Sequence, residues 1–225
     1  MSKCEQCIVR QMSSLKSLSS EELRSVSACK TTRFYKKGDI IFDEGETLHG
    51  IYCVRSGVCK LTKLSANGKD QTVKLLGKGE ILGQRSLISD ERTNLSAVAL
   101  NNIELCFVPK DQIITPLNDN KNFSMDVLKG MAKDLREAED DIINMAQKSV
   151  KQRLAETLLH IQNTFGTDAD GALNIILSRE DYASIVGTAT ESAIRILSQF
   201  KKEGLITTSG KHIKIKDPEG LKRVE

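Results

Sequence analysis

Residues 177–206 read LSREDYASIVGTATESAIRILSQFKKEGLI, and this stretch decides how the C-terminal part of the chain folds. Ser178 is a helix-capping residue at the start of a short helix. Gly187 then allows a tight turn, and Thr188 is expected to cap a second helix, with Glu191 three residues later in capping-box position. The expected inward stripe of this second helix consists of Ala193, Ile194, Leu197 and Phe200. The pattern predicts a helix, a glycine turn and another helix.

A hairpin is predicted directly behind the second helix. Gly204 ends that helix, and LITTSGKHIKI, residues 205–215, can fold back on itself at Ser209 and Gly210. A helix-turn-helix with such a wing places the N-terminal end of its second helix in the major groove of DNA. The residues able to touch base edges are then Thr188, Thr190, Glu191, Ser192 and Arg195.

The charges of this segment favour an anionic partner. Arg195 can donate two hydrogen bonds to guanine, and Glu191 can accept one from cytosine. Phosphate contacts are expected from the basic side chains that follow, which are Lys201, Lys202, Lys211 and His212. The alternative to base reading is an ordinary ion pair between Glu191 and Arg195, which stand four residues apart on a helix.

The first half of the chain has a different pattern. Residues 31–108 read as many short strands with alternating apolar residues, separated by frequent glycines. Asn67-Gly68 is a strong signal for a two-residue hairpin turn. This pattern predicts an antiparallel barrel or sandwich and disfavours a Rossmann-type enzyme core. A further short strand is expected at LNIIL, residues 173–177.

A heptad pattern predicts a long helix between these two parts, from about residue 123 to 147. Its apolar stripe consists of Leu128, Met131, Leu135, Ala138, Ile142 and Met145. The narrow seam favours a two-stranded coiled coil, and hence a homodimer. The alternative is a helix that packs its stripe against its own strand domain.

Composition is that of a globular protein, with 39% hydrophobic and 28% charged residues. No run approaches the roughly 20 apolar residues that span a bilayer, and no export signal is recognisable, so the sequence predicts a cytoplasmic protein without a membrane partner. The 6 cysteines are then expected to be mostly reduced, which favours metal or redox chemistry over a disulfide framework.

The order of strand domain, heptad helix and winged helix resembles the CRP/FNR family of bacterial transcription regulators. The segments FYKKGDIIFDEGE (34–46), VRSGVCKL (54–61) and GKGEILGQRSL (77–87) are similar to the strands and turns of the family's effector domain, and TATESAIR (188–195) is similar to its recognition helix. The resemblance implies an α+β protein in which a jelly-roll β-barrel, like a cyclic-nucleotide-binding domain, precedes a dimerisation helix and a winged helix-turn-helix.

The resemblance also implies domain bounds and partners. A cysteine-containing segment and short helix would occupy 1–30, the β-barrel sensor 31–115, the dimerisation helix 116–147 and the DNA-binding domain 148–225. Glu191 and Arg195 would read a half-site containing G-A in an inverted-repeat operator. RNA polymerase would be a further partner.

Cyclic AMP is disfavoured as the effector. Family members that bind it carry a Glu after a glycine turn and an Arg-Ser pair about ten residues later, but this chain has Gly83-Gln84 and Asn94-Leu95. A buried phosphate needs a cationic partner or several donors, and Leu95 supplies none.

Cysteines suggest another input. The oxygen-sensing branch holds a 4Fe-4S cluster through a C-x-x-C, a third Cys and a distant Cys. Cys4 and Cys7 are similar to the C-x-x-C, and Cys106 is similar to the distant Cys. Ser13 stands at the third position, so Cys29 is the nearest substitute as a fourth thiolate. Zinc sites and dithiol switches share the C-x-x-C motif, and incidental thiols at a frayed terminus are a further alternative. Cys53 and Cys59 lie in strand patterns and are expected in the core.

The sequence thus predicts a homodimeric regulator that couples a redox, oxygen or small-ligand signal to operator binding. A regulator without cofactor, a redox enzyme and an interaction module built on the β-barrel are the alternatives. The enzyme is disfavoured, because the sequence has no phosphate-cradling glycine loop, no HExxH and no recognisable Ser/His/Asp set.

Overall fold

The computed structural model describes residues 7–65, 68 and 70–225, apart from the side chain of Ile8. The chain divides into two compact units. The first contains the described residues of 1–63 together with 75–138, and the second contains those of 64–74 together with 139–225.

The first unit begins with two 3₁₀ turns, Ile8–Met12 and Ser14–Ser17, and the helix α1, Ser20–Cys29. Ser19 caps α1, because its hydroxyl accepts a hydrogen bond from the N–H of Glu22 at 3.3 Å. The Glu22 carboxylate accepts in return from the N–H of Ser19 at 2.6 Å, which completes a capping box.

Eight strands follow in two sheets. They are β1 Thr31–Tyr35, β2 Ile40–Phe42, β3 Gly50–Ser56, β4 Cys59–Leu64, β5 Asp70–Leu76, β6 Ile81–Leu82, β7 Ser96–Ala99 and β8 Ile103–Pro109, with the helix α2, Gln84–Ser89, between β6 and β7. The sheet orders are β1-β8-β3-β6 and β2-β7-β4-β5. This is the predicted jelly roll, although its two sheets do not close into a barrel. Asn67 of the predicted hairpin turn lies outside the described residues.

The strands β3 and β8 carry apolar residues on both faces. Tyr52 and Val54 point into the core between the sheets. Ile51 and Cys53, one residue out of phase, belong to a second core that includes Val26 of α1. Since side chains alternate along a strand, the unbroken run of buried residues in β3 reflects its position between two cores.

Two helices follow β8, namely α3, Asp111–Asp119, and α4, Lys121–Gln147. The side-chain oxygen of Asn120 accepts hydrogen bonds from the N–H groups of Asn122 and Phe123, both at 3.1 Å, and so starts α4. Phe123 and Val127 are buried in the core of the first unit.

The second unit contains a winged helix-turn-helix. Its elements are α5 Val150–Phe165, α6 Arg179–Val186, α7 Thr190–Lys202, β9 Ile206–Ser209, β10 His212–Ile215 and α8 Pro218–Lys222. The predicted strand at 173–177 is wrong: only an isolated bridge joins Thr167 to Leu173. Every second residue of this segment is buried, namely Leu173, Ile175 and Leu177. This alternation is typical of a strand, although the segment forms no hydrogen-bonded ladder.

Candidate nucleic-acid interface

The turn between α6 and α7 is built around Gly187. This glycine has φ 65° and ψ 52°, a left-handed conformation that L side chains rarely adopt. The N–H of Thr188 donates to the carbonyl of Ala183 at 3.0 Å, five residues back, which closes the end of α6 as in a Schellman motif. The turn is therefore defined by backbone hydrogen bonds together with a position that favours glycine.

The start of α7 differs from the sequence prediction. Its N-cap is Ala189, and no side chain caps it. Because α7 begins at Thr190, one residue later than predicted, Thr188 lies one position ahead of the cap. Glu191 consequently lies at the second helical position, where the helix dipole favours a carboxylate.

The buried stripe of α7 consists of Ala193, Ile196, Leu197 and Phe200. The expectation that Ile194 points inward is wrong, because its side chain is 45% exposed whereas Ile196 is 7% exposed. Four apolar residues lie within Ala193–Leu197, so the sequence alone allows more than one helical stripe there. The sequence analysis therefore missed Ile194 as a residue of the outward face of α7. Its exposure next to Arg195 indicates that it belongs to that face.

The predicted reading residues lie on the opposite face of α7. Glu191 and Arg195 are exposed, and Thr188, Thr190 and Ser192 are half-buried. Within the described part of the chain, Glu191 and Arg195 form no ion pair with each other and no side-chain hydrogen bond. The alternative of an internal i,i+4 pair is therefore not realised in this structure, and both polar groups are available to a ligand.

The wing carries exposed cations. β9 and β10 pair antiparallel from Ile206↔Ile215 to Ser209↔His212, and Lys211 and His212 are exposed at the turn. Arg179, at the start of α6, donates to the carbonyl of Gly210 at 3.2 Å and so ties the wing to the helix-turn-helix. The remaining predicted phosphate contacts, Lys201 and Lys202, are exposed in the last turn of α7.

One arginine joins the end of α4 to the helix-turn-helix. Arg153 Nε donates to the carbonyl of Val186 at 3.0 Å. Its Nη1 donates to the carbonyls of Met145 at 3.2 Å and Lys148 at 2.7 Å. These carbonyls lie at the C-terminal ends of α6 and α4, where a positive charge is stabilising.

The strand β5 also contacts α6 inside the second unit. The N–H of Thr72 donates to Ser184 Oγ at 2.8 Å, and Ser184 Oγ donates to the carbonyl of Asp70 at 2.7 Å. The first helix of the helix-turn-helix is therefore held by two segments that are distant in sequence.

The predicted dimer stripe faces outward on α4. Leu128, Leu135, Ala138, Ile142 and Met145 are exposed, and Met131 is half-buried against the core of the first unit. Beyond Met131 the apolar side chains of the stripe are exposed in the part of the chain that the structure describes. The alternative, a stripe packed against the chain's own strands, is therefore met only near the start of α4.

The three predicted metal ligands that the structure describes, Cys7, Cys29 and Cys106, do not come together. Cys7 and Cys106 line one small apolar cavity, and the third thiol on its wall is Cys53 rather than Cys29. Cys29 is exposed at the end of α1, and Cys4 lies outside the described residues. Among the residues that the structure describes, no three His, Cys, Asp or Glu side chains come together closely enough to hold a metal ion. Cys7, Cys29 and Cys106 therefore do not by themselves form three thiolate positions of a cubane cluster.

Two family models match the chain. The cyclic nucleotide-binding domain matches residues 32–120, and the Crp-like helix-turn-helix domain matches residues 152–224. The Anaerobic regulatory protein of Bacillus subtilis is 31% identical over 201 residues, which cover 87% of this chain and 84% of that protein. The CRP-like cAMP-activated global transcriptional regulator of Mycobacterium tuberculosis is 26% identical over 84% of this chain and 85% of its own length.

The fold is also found in a solved structure. FixK2 from Bradyrhizobium japonicum superposes with a TM-score of 0.76 and 23% identity, over 85% of this chain and 95% of FixK2. No helix in the described part of the chain combines the length and apolar character needed to cross a membrane. The relatives are transcription regulators and not enzymes. The chain therefore belongs to the CRP/FNR family of DNA-binding transcription regulators.

Proposed function

We propose that the chain acts in the cytoplasm as a homodimer that binds an inverted-repeat operator and couples a redox, oxygen or small-ligand signal at the β domain to that binding. The observation that carries this proposal is the pair Glu191 and Arg195, which are exposed on the N-terminal half of α7 and have no side-chain partner among the residues that the structure describes. Unsatisfied charged groups at this position are suited to base edges.

Dimerisation is supported by the uncovered stripe of α4. Leu135 is 62% exposed and Ile142 is 68% exposed, although both are large aliphatic residues at heptad spacing. A second copy of the same helix would bury this stripe by knobs-into-holes packing. Two recognition helices related by the dimer axis would then reach half-sites about one helical turn apart.

Base reading is assigned to two side chains and positioning to the cations around them. Arg195 would donate two hydrogen bonds to a guanine, and Glu191 would accept one from a cytosine. Lys201, Lys202 and Lys211 would bind phosphates and fix the register without reading sequence. Affinity should consequently fall with salt, since phosphate contacts release counterions.

Ile194 adds an apolar contact to this surface. Its exposed side chain adjoins Arg195 in sequence and stands one helical turn after Glu191. An aliphatic group in the major groove has one distinctive target, the C5 methyl of thymine. Ile194 would therefore favour a thymine beside the base pairs read by the two charged residues.

The signal would pass through Arg153. Its three hydrogen bonds connect the end of α4 to the last carbonyl of α6, next to the turn that orients α7. A rotation of α4 in the dimer would move these acceptors together, and the spacing of the two recognition helices would change. RNA polymerase is the expected partner of the DNA-bound dimer.

The effector is proposed to be redox-linked rather than cyclic AMP. Asn94 is exposed and Leu95 is half-buried, so neither supplies the cation that a buried cyclic phosphate needs. Phe42, Tyr52 and Phe107 form an aromatic cluster between the sheets. The relatives named anaerobic regulatory proteins support a redox input. A 4Fe-4S cluster on Cys4, Cys7, Cys29 and Cys106 stays a prediction through which we derive no step.

The test is a gel-shift comparison on a duplex selected from a randomised library and on a random duplex. Wild-type protein should prefer the selected duplex, which should contain an inverted repeat. Arg195→Ala should reduce that preference, whereas Lys202→Ala should weaken binding to both duplexes alike. Equal losses for Arg195→Ala on both duplexes would contradict base reading.

A further inference from the structure

Two cysteines stand directly opposite each other in the first unit. The register of β3 and β8 pairs Cys53 with Cys106. In the same register, the N–H of Lys110 donates to the carbonyl of His49 at 2.9 Å. Hydrogen-bonded pairs recur at every second position of an antiparallel ladder, so Cys53 and Cys106, four positions further on, also form such a pair.

This register places the two thiols within reach of each other. The Cα atoms of a hydrogen-bonded pair are about 5.5 Å apart. Disulfides span Cα distances of roughly 4.4–6.8 Å, so the backbone separation is suitable. Directly opposite residues point to the same face of the sheet, and both cysteines pack in the core that contains Val26 and Phe123.

A small cavity gives access to the pair. It measures about 30 Å³, comparable to the space that one water molecule occupies in the liquid. Cys53 and Cys106 line it together with Cys7. Cys53 is buried, whereas Cys106 is half-buried and so is the more accessible of the two strand thiols. A molecule of the size of hydrogen peroxide fits this space.

The side chains of Lys30 and Arg10 also line this cavity, and they do so mainly with their apolar atoms. The thiolate, rather than the thiol, is the form of a cysteine that reacts with oxidants.

We propose that Cys53 and Cys106 form an oxidisable dithiol pair, and that its disulfide is the oxidised state of this regulator. The Cys106 thiolate attacks one oxygen of a peroxide, the O–O bond breaks, and a sulfenic acid forms while the other oxygen leaves as water after taking up a proton. Cys53 then attacks the Cys106 sulfur, the S–O bond breaks, and a second water leaves with the thiol proton. One peroxide is reduced and two thiols are oxidised to one disulfide.

The pair is connected to the dimer helix through its packing. Opposite side chains of a sheet have Cβ atoms about 4.5–5.5 Å apart, whereas a disulfide draws them to about 3.8 Å. Closing the bond therefore moves β3 and β8 against the core that also buries Phe123 and Val127 of α4. This part of the inference rests on the proposed function, because it requires that the position of α4 controls DNA binding.

The other described cysteines serve as controls. Cys59 lies on β4 of the other sheet and packs in the core between the sheets, where burial raises the pKa of its thiol to about 12. Cys29 is exposed and does not line the cavity. Neither is expected to form the disulfide.

The experiment treats the reduced full chain with one equivalent of hydrogen peroxide, followed by thiol alkylation and peptide mass spectrometry. A Cys53–Cys106 cross-linked peptide should appear, two thiols should be lost per peroxide, and dithiothreitol should restore both. Cys106→Ser should abolish the cross-link, whereas Cys29→Ser should retain it. Cys53→Ser should also abolish the cross-link and leave a sulfenic acid on Cys106 that dimedone traps. If Cys53→Ser folds poorly, Cys53→Ala should give the same result.

Three results overturn the pair. The first is complete alkylation of Cys53 and Cys106 after peroxide, and the second is a cross-link that joins Cys106 to Cys7. Bound iron and sulfide that shield these thiols in anaerobically purified protein would also overturn it in favour of a cluster.

A gel shift with the selected duplex separates this inference from the proposed function. The oxidised and reduced forms should differ about 5- to 150-fold in operator affinity, as expected for an allosteric coupling. A disulfide without any change in affinity overturns the sensing role while the regulator stands. Failure of both forms to bind DNA overturns the proposed function. In that case the mass spectra still show whether Cys53 and Cys106 form a disulfide.

Discussion

The helices α4 and α7 are both amphipathic, yet they distribute their apolar residues in opposite ways. α7 buries Ala193 and Phe200 completely and presents polar and charged residues outward. α4 buries Phe123 and Val127 at its start and leaves Leu135 and Ile142 exposed further along. The comparison indicates that the apolar face of α7 is covered by its own domain, so that its charged face remains for a polar partner. The later turns of α4, by contrast, have no apolar cover among the described residues.

The largest effect is expected where α4 lacks its partner. Leu135→Lys combined with Ile142→Lys should give monomers, because like charges would face each other at two positions of the seam. Loss of the second half-site should weaken operator binding about 10²- to 10⁴-fold. Sedimentation and gel shift measure both effects. Asp140→Lys, on the outer face of the same helix, should remain dimeric. If the double variant is also dimeric, the exposed stripe of α4 is not the dimer interface.

A smaller effect is expected on the charged face of α7. Arg195→Ala should cost about 1–3 kcal/mol of discrimination between the selected and a random duplex, because the bidentate contact to guanine is lost. Titrations on both duplexes at several salt concentrations measure it. Lys202→Ala should instead reduce the salt slope by about 1 per half-site, hence about 2 for the dimer, and leave discrimination intact.

The turn that orients α7 should tolerate an added methyl poorly. Gly187→Ala should lower the free energy of unfolding by about 1–2 kcal/mol, because an L residue is strained at φ 65°. The added Cβ would also lie 3.4 Å from the Met145 sulfur. Gly130→Ala on α4 is the matched control: nothing lies within 4 Å of its Cβ, and the change should stabilise the helix by about 0.5–1 kcal/mol. Urea unfolding of both variants measures the difference.

The smallest effect concerns Ile194. Replacing thymine by deoxyuridine in the selected half-site removes only the methyl group and should cost wild-type protein about 1 kcal/mol or less. Ile194→Ala should bind both duplexes equally well. A loss of the same size in wild type and variant would remove Ile194 from the reading surface, and Lys202→Ala should keep the wild-type difference.

The elements with a clear period could be predicted from the sequence. Alternating residues predicted most strands of the first unit, and the Gly187 turn and the wing followed from local turn chemistry. The cap at Thr188 was wrong because α7 begins one residue later than predicted, with Ala189 as its N-cap. Ile194 was misplaced because neighbouring apolar residues allow several stripes.

The cysteines show a different limit. Cys53 was expected in the core, and it is buried. That it stands opposite Cys106 depends on strand register, which is set by the pairing of β3 with β8 rather than by either segment alone. Spacing along the chain favoured Cys29, although that residue lies on another element and is exposed.

The junction at Arg153 constrains how this protein can be recombined with its relatives. The acceptors of its guanidinium belong to residues 145, 148 and 186, on both sides of the donor in the sequence. A chimera spliced between 148 and 153 would take the donor from one parent and two acceptors from the other. Exchange of the winged helix-turn-helix should therefore succeed best when the crossover lies ahead of residue 145. The donor and its acceptors then come from the same parent.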